Sequence, residues 1–165
     1  MHREHTVYIS VGSNMGDKLA NCKSGIRSLT SSGGNLLEKV SGFYRTEPVD
    51  FRDQDWFVNA AVRIATSLGP MALLKELQSI QLSAGRKKSR VRFGPRILDL
   101  DIIFFDDCII NTPDLIVPHP RMHKRRFVLQ PICDIDSGII HPLLKRNMRD
   151  LLDSLDDNGQ GVLAY

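Results

Sequence analysis

Apolar and polar positions along this 165-residue chain switch between a period of two and a period near 3.6, and the switches mark the elements. Residues 6–11, Thr-Val-Tyr-Ile-Ser-Val, are β-branched and aromatic and predict a first strand. They run into Gly12-Ser13-Asn14-Met15-Gly16-Asp17, a glycine-rich turn whose Ser, Asn or Asp can cap a helix. Over 17–31, Leu19, Cys22, Ile26 and Leu29 form one apolar stripe of that helix, which Ser32-Gly33-Gly34-Asn35 stops. Residues 36–44 read as a second strand, and 45–55 as a polar loop containing Pro48. The clearest alternation spans 56–66. Trp56, Val58, Ala60, Val62 and Ile64 face one way; Phe57, Asn59, Ala61 and Arg63 face the other. Gly69-Pro70 opens a helix to about Ala84, with proline acceptable in the first turn.

After a basic segment, residues 97–105 form an apolar run interrupted only by Asp99 and Asp101, as expected of a strand buried on both faces. Residues 115–117 predict a short strand. Residues 122–134 predict a helix that Pro131 should end or kink, and 143–144 with 148–155 a last short helix. Residues 1–5 and 156–165 read as flexible tails. The order β-α-β-β-α-β with additional C-terminal helices is the ferredoxin-like arrangement. The expected class is therefore α+β, an antiparallel sheet with helices packed on one face, in a single domain over 1–165.

Composition changes this picture little but excludes several functions. Lys and Arg number 22 against 19 Asp and Glu, so the net +3 does not indicate a general nucleic-acid coat. Cys22, Cys108 and Cys133 lack a C-x-x-C spacing, which suggests neither a disulfide framework nor a zinc site. No apolar run reaches the length of a membrane span, and the N-terminus lacks a signal-peptide core, so a cytoplasmic protein is expected.

The basic charge is concentrated instead. Arg86, Lys87, Lys88, Arg90, Arg92 and Arg96 crowd one segment, bracketed by Gly85 and Gly94-Pro95, immediately before the Asp pair. Side chains at i and i+2 of a strand share a face, so Asp99 and Asp101 can share a cation. Carboxylates at the mouth of a buried strand are costly unless a cation or donor meets them. Arginines suit phosphate oxygens and the carboxylates suit Mg²⁺, so the segment predicts a metal-bound polyphosphate. No G-x-x-x-x-G-K-[ST] is present; side chains must do what a P-loop backbone would. Asn59 is a carboxamide in mid-strand that could read a heterocycle edge or bond to a neighbouring loop, and Phe57 on its face could stack on the same ring. His119 could donate to a phosphate or serve as a loop histidine.

Several motifs occur together and in order: Gly12-Ser13-Asn14, Phe43-Tyr44-Arg45-Thr46, Phe57-Val58-Asn59-Ala60-Ala61, Gly85-Arg86, Arg92-Phe93-Gly94-Pro95-Arg96-Ile97-Leu98-Asp99-Leu100-Asp101-Ile102 and Val117-Pro118-His119. Over about residues 6–155 the chain resembles the 6-hydroxymethyl-7,8-dihydropterin pyrophosphokinases of folate biosynthesis, most specifically through Gly94–Ile102. The resemblance implies Mg²⁺-dependent transfer of pyrophosphate from ATP to the pterin hydroxymethyl group, with release of AMP. Asp99 and Asp101 would bind two Mg²⁺ ions and, with Arg86 and Arg92, carry the chemistry. Arg86, Lys88, Arg92, Arg96, Gln78, Ile102, His119 and Arg125 would meet ATP. Phe57 and Phe127 would sandwich the pterin, Asn59 would read its edge, and Thr46, Pro48 and Val49 would add contacts. Small-molecule partners are expected, without nucleic acid or membrane, and a monomer with an oligomer left open. Gln81 stands where the family commonly has Glu, Phe93 where Trp is common, and Pro120 where an aromatic is common. Rival readings are a ferredoxin-like nucleic-acid-binding module, which would want exposed strand aromatics in an R-G-F-type motif, and a nucleotide sensor without turnover.

Overall fold

In chain order the elements are β1 (His5–Ser13), α1 (Lys18–Thr30), β2 (Asn35–Val40), β3 (Tyr44–Thr46), β4 (Phe57–Thr66), α2 (Pro70–Ser83), β5 (Asp99–Phe105), β6 (Ile110–Asn111), β7 (Ile116–Val117), α3 (Arg126–Asp136), α4 (Met148–Asp153) and β8 (Val162–Ala164), with a 3-10 turn at Met122–Lys124. This computed structural model describes residues 5–85, 92–156 and 160–165. Arg86, Lys87, Lys88 and Arg90 lie outside the described residues. The main sheet runs β5-β1-β4-β3-β8, with β2 also on β4, and every pairing is antiparallel. β6 and β7 form a separate ribbon whose continuation docks on the edge of β5, where His119 N–H donates to the Ile103 carbonyl at 3.1 Å.

Alternation along the strands sorts their side chains onto two apolar faces. Val7, Ile9, Val11, Val58, Val62, Ile64, Leu100 and Ile102 pack with Cys22, Ile26 and Leu29 of α1 and Leu73 and Leu77 of α2. Tyr8, Ala61, Ile103 and Phe104 lie in the other core with Val128, Leu129 and Ile132 of α3 and Met148, Leu151 and Leu152 of α4. Each fully buried Leu or Ile contributes about 1.5–3 kcal/mol from its removal from water. Helices therefore cover both faces instead of the single face expected, because the second face is apolar too and the C-terminal helices are its cover.

Several local expectations are corrected. The strand expected at 36–44 breaks into β2 and β3. The chain steps off β4 around Gly42 while Ser41 spans the gap, donating its N–H to the Ala61 carbonyl at 2.9 Å and accepting Ala61 N–H on its hydroxyl at 2.8 Å. Residues 162–164 are not a loose tail but the strand β8, held on the edge of β3 by Thr46 opposite Val162 and Tyr44 opposite Ala164; likewise His5 begins β1, its ring 2.7 Å from Asp106. Pro131 does not end α3. It removes one backbone donor, and its buried ring joins the core side of the helix. Leu143 and Leu144 stay outside a helix, because both their N–H groups turn onto His141 Nδ1; α4 starts only after Asn147, whose side chain accepts Asp150 N–H at 2.8 Å. Among the described residues, no helix is long and apolar enough to cross a membrane.

α1 approaches β5 closely through Gly25, where a Cβ would lie 2.8 and 2.9 Å from the two methyls of the fully buried Leu98. Gly25→Val should lower unfolding free energy by about 1–3 kcal/mol through overpacking, despite better helix propensity. Urea denaturation checks this; an unchanged midpoint contradicts the packing described.

Candidate active site

β-Strand register decides which side chains can meet. Gly12 lies opposite both Asn59 and Asp99; Ser10 lies opposite Ala61 and Asp101; Thr46 lies opposite Phe57. Cross-strand partners share a face, so these residues form adjacent rows on the α3 side of the sheet. Beyond the N-terminal end of α3 the face is open, and the rows floor a cleft that is walled by Val49, Phe93, Arg96, Arg125 and Phe127 among others.

One part of the cleft is organised around two neutral polar side chains with fixed orientation. Asn59 is buried; its Oδ1 accepts the Thr46 hydroxyl at 2.5 Å and its Nδ2 donates to the Val11 carbonyl at 3.5 Å. Glycine is required at position 12, since a Cβ there would sit 2.6 Å from Asn59 Nδ2. Phe57 and Phe127 contribute aromatic surface to the same cleft.

The other half is charged. Asp99 and Asp101 point from alternate positions of β5 into the cleft, and Arg96 Nη1 pairs with Asp99 at 2.9 Å. Phe93 holds a left-handed backbone (φ 59°), a costly state for a bulky residue. Its carbonyl is fixed by Gln54 Nε2 at 2.9 Å, and its ring carries the guanidinium groups of Arg121, Arg92 and Arg125 at 4.8, 4.9 and 5.9 Å from the centroid. Arg125 also lies 5.4 Å from the Phe127 ring centroid and 3.5 Å from Asp50. Burial lowers its pKa, an effect opposed by Asp50 and Asp101; a guanidinium nonetheless keeps its proton. Burial first, then Arg125 and Arg121, push His119 down to about 4. Its Nδ1 accepts Arg121 N–H at 3.2 Å, so the neutral ring carries its proton on Nε2.

Asn14 ties the two loops above these halves. Its Nδ2 donates to Gln54 Oε1 at 2.9 Å and to the Asp55 carbonyl at 3.1 Å, while Oδ1 accepts Arg96 N–H at 2.7 Å. The backbone N–H of Asn14 also donates to the Arg96 carbonyl at 3.0 Å.

Of the residues singled out from sequence, Thr46, Val49, Phe57, Asn59, Arg96, Asp99, Asp101, Arg125 and Phe127 line the cleft together. Pro48 lies in the same loop, and Arg92 and His119 stand beside the wall through Phe93, Arg121 and Arg125. Arg86 and Lys88 lie outside the described residues. Gln78 is exposed on α2 and is not among the cleft-lining residues. The Ile102 side chain points into the α1–α2 core, because it is out of phase with Asp99 and Asp101. Only its backbone can serve a ligand. Leu100 N–H donates to Gln81 Oε1 at 3.2 Å, so alternate residues of β5 turn their backbone toward that side. Gln81 is a buried structural residue here, its Nε2 donating to the Leu77 carbonyl at 3.2 Å. Sequence reasoning missed Gln54, Asp50 and Gln160; only Gln54 and Asp50, in the polar loop before Trp56, lay in a segment already under suspicion.

Among the described residues, no group of three or more His, Cys, Asp or Glu side chains could hold a metal. The donor set nonetheless fits Mg²⁺, which takes one or two carboxylates and completes its shell with water and substrate phosphate. Asp99 and Asp101 would supply those carboxylates.

The His119 ring should stay neutral until about pH 4, so folding stability that depends on it is present above about 6.5 and is lost as pH falls through 4. An NMR titration of the imidazole checks this; a midpoint near 6.5 contradicts the burial and cationic surroundings described.

Comparisons with known proteins agree on the family. The family model described as 7,8-dihydro-6-hydroxymethylpterin-pyrophosphokinase (HPPK) matches residues 8–137. The chain is similar to the 2-amino-4-hydroxy-6-hydroxymethyldihydropteridine pyrophosphokinase of Bacillus subtilis, 45% identical over 128 residues, covering 78% of this chain and 76% of that protein. The protein of that name from Methylorubrum extorquens is 36% identical over 152 residues, covering 92% of this chain and 94% of the relative. The Pneumocystis carinii folic acid synthesis protein fol1 is 40% identical over 152 residues, 92% of this chain, but this chain spans only 20% of its length. A crystal structure of Plasmodium falciparum HPPK-DHPS with pteroate has the same fold, with TM-score 0.74 at 14% identity over 93% of this chain and 43% of that one. The chain belongs to the 7,8-dihydro-6-hydroxymethylpterin-pyrophosphokinase family.

Proposed function

We propose that this chain transfers the terminal pyrophosphoryl group of ATP to the hydroxymethyl oxygen of 6-hydroxymethyl-7,8-dihydropterin and releases AMP. The observation that carries the reading is one cleft whose lining brings together an orientation-locked carboxamide, the rings of Phe57 and Phe127, a carboxylate pair and the arginines Arg96 and Arg125. The names of the Bacillus and Methylorubrum relatives support it. The sheet order β5-β1-β4-β3, with β2 and β3 counted as one strand, supports a ferredoxin-like topology for the core. Taken as one domain, the chain would act alone on small molecules in the cytoplasm, as its unpaired cysteines suit.

The pterin would lie between Phe57 and Phe127, its edge read by Asn59, whose fixed amide offers a donor and an acceptor in known places. The triphosphate would lie against Arg96, Arg125 and Arg92, whose charges neutralise its oxygens. Mg²⁺ on Asp99 and Asp101 would supply charge neutralisation and orientation at the reacting phosphorus. The hydroxymethyl oxygen forms a bond to the β-phosphorus while the bond from that phosphorus to the α–β bridging oxygen breaks. AMP departs with those electrons, and the hydroxyl proton passes to solvent or to Asp99. Such transfers need little covalent help, so positioning and electrostatics do most of the work.

Incubation with ATP, Mg²⁺ and 6-hydroxymethyl-7,8-dihydropterin should yield AMP and the pterin diphosphate. ADP would mean ordinary phosphoryl transfer, and the absence of any pterin-dependent nucleotide product would rule the reading out. Asp101→Ala should cut kcat by about 10²–10³-fold or more with little change in unfolding midpoint, since it removes charge stabilisation at the reacting group. Arg92→Ala should lower kcat far more than pterin affinity. A pure loss of pterin affinity would contradict its place on the phosphate side.

A further inference from the structure

We propose that Gln160 is a positioning residue for the pterin half of the cleft, an inference that rests on the pyrophosphokinase reading. α3 begins with Arg125 at its N-cap, and that residue provides no side-chain hydrogen bond to the first turn. The first N–H groups of a helix have no partner within the helix and must find one elsewhere. Here Phe127 N–H donates to Gln160 Oε1 at 3.3 Å, a cap supplied from 33 residues away. The other end of the same carboxamide is also engaged, Gln160 Nε2 donating to the Glu47 carbonyl.

Those two partners belong to the two parts of the site that must hold the pterin. Glu47 lies between Thr46, which fixes Asn59, and the Pro48–Val49 stretch. Phe127 supplies one ring. A carboxamide suits the task because one end accepts while the other donates. Its own backbone is anchored next door: Glu47 N–H donates to the Gly161 carbonyl at 2.9 Å, and β8 pairs with β3 immediately afterwards. Gln160 itself lines the cleft. The C-terminal segment thus fixes how far the Thr46–Val49 loop stands from Phe127, and with it the width of the slot that receives the ring. Gln160 is half-buried and belongs to neither apolar core, so its loss loosens the rim and leaves the fold.

The experiment uses the full chain and 6-hydroxymethyl-7,8-dihydropterin as the probe, titrated by its fluorescence with Mg²⁺ and a non-hydrolysable ATP analogue present. Gln160→Met preserves length but removes both hydrogen-bonding ends. It should weaken pterin binding by about 5–20-fold, within what a small misplacement of substrate costs. The KM for ATP should stay within about twofold and kcat at saturating pterin within about threefold, the split expected when only ground-state pterin positioning is lost. Gln160→Glu keeps the acceptor for Phe127 N–H and should recover part of the affinity. Unchanged pterin affinity in Gln160→Met would overturn the proposal, as would an equal fall in pterin affinity, ATP affinity and kcat, which signals general loosening. A wild-type chain that binds no pterin would instead overturn the functional reading on which it rests.

Discussion

The buried side chain of Asn14 is the constraint on which the rest of the site depends. Both of its amide hydrogens and its oxygen are engaged, and the partners lie 40, 41 and 82 residues away. A buried carboxamide left unsatisfied costs about 1–3 kcal/mol per group, so this geometry is held cooperatively instead of loosely. Gln54, one of its partners, passes the constraint on to the Phe51 and Phe93 carbonyls. The loop before β4 and the loop before β5 are therefore locked to the end of β1. Without that lock, Phe93 would have no reason to accept its left-handed backbone, and its ring could not present a platform for three arginines.

Strand parity supplies the second constraint. Because side chains alternate, β5 can offer Asp99 and Asp101 to the cleft only by giving Leu100 and Ile102 to the opposite core. The same rule hands Asn59 and Phe57 to the site and Val58 to the core. Core and site are thus alternate residues of the same strands, and the apolar packing of one half holds the polar half still. Gln81 belongs to this support: it accepts from the backbone of Leu100 and anchors the strand that carries both carboxylates.

Much of this was legible from sequence where the signal is local. The period-two run at 56–66, the α2 pattern after Pro70 and the strand carrying the Asp pair each predict their own structure within a few residues. What stayed hidden depends on distant partners. β8 is three residues long, too short for a period, and becomes a strand only because β3 has a free edge. The break between β2 and β3 had one clue in Gly42, but Ser41 bridging to Ala61 is a tertiary fact. Gln160 had no local signal, since the groups that make it matter are Glu47 and Phe127.

The cleft finally shows an electrostatic division that bears on the proposed chemistry. Around Asn59 and Thr46 the polar side chains are neutral and hydrogen-bonded to each other, so a ring entering there meets directional contacts. At the other end, Arg92, Arg121 and Arg125 gather around the Phe93 ring, an arrangement that like charges resist unless an anion or the ring's negative π-surface offsets them. His119, kept neutral beside them, adds a hydrogen-bond donor without adding to that repulsion. Asp99 and Asp101 lie in the same cleft, where a cation bound to a polyphosphate would satisfy both the carboxylates and the arginines' ligand. Such a division favours a ligand pair that is itself divided, one partner flat and uncharged and the other strongly anionic. The two would meet over the carboxylates, which is where group transfer between them has to occur.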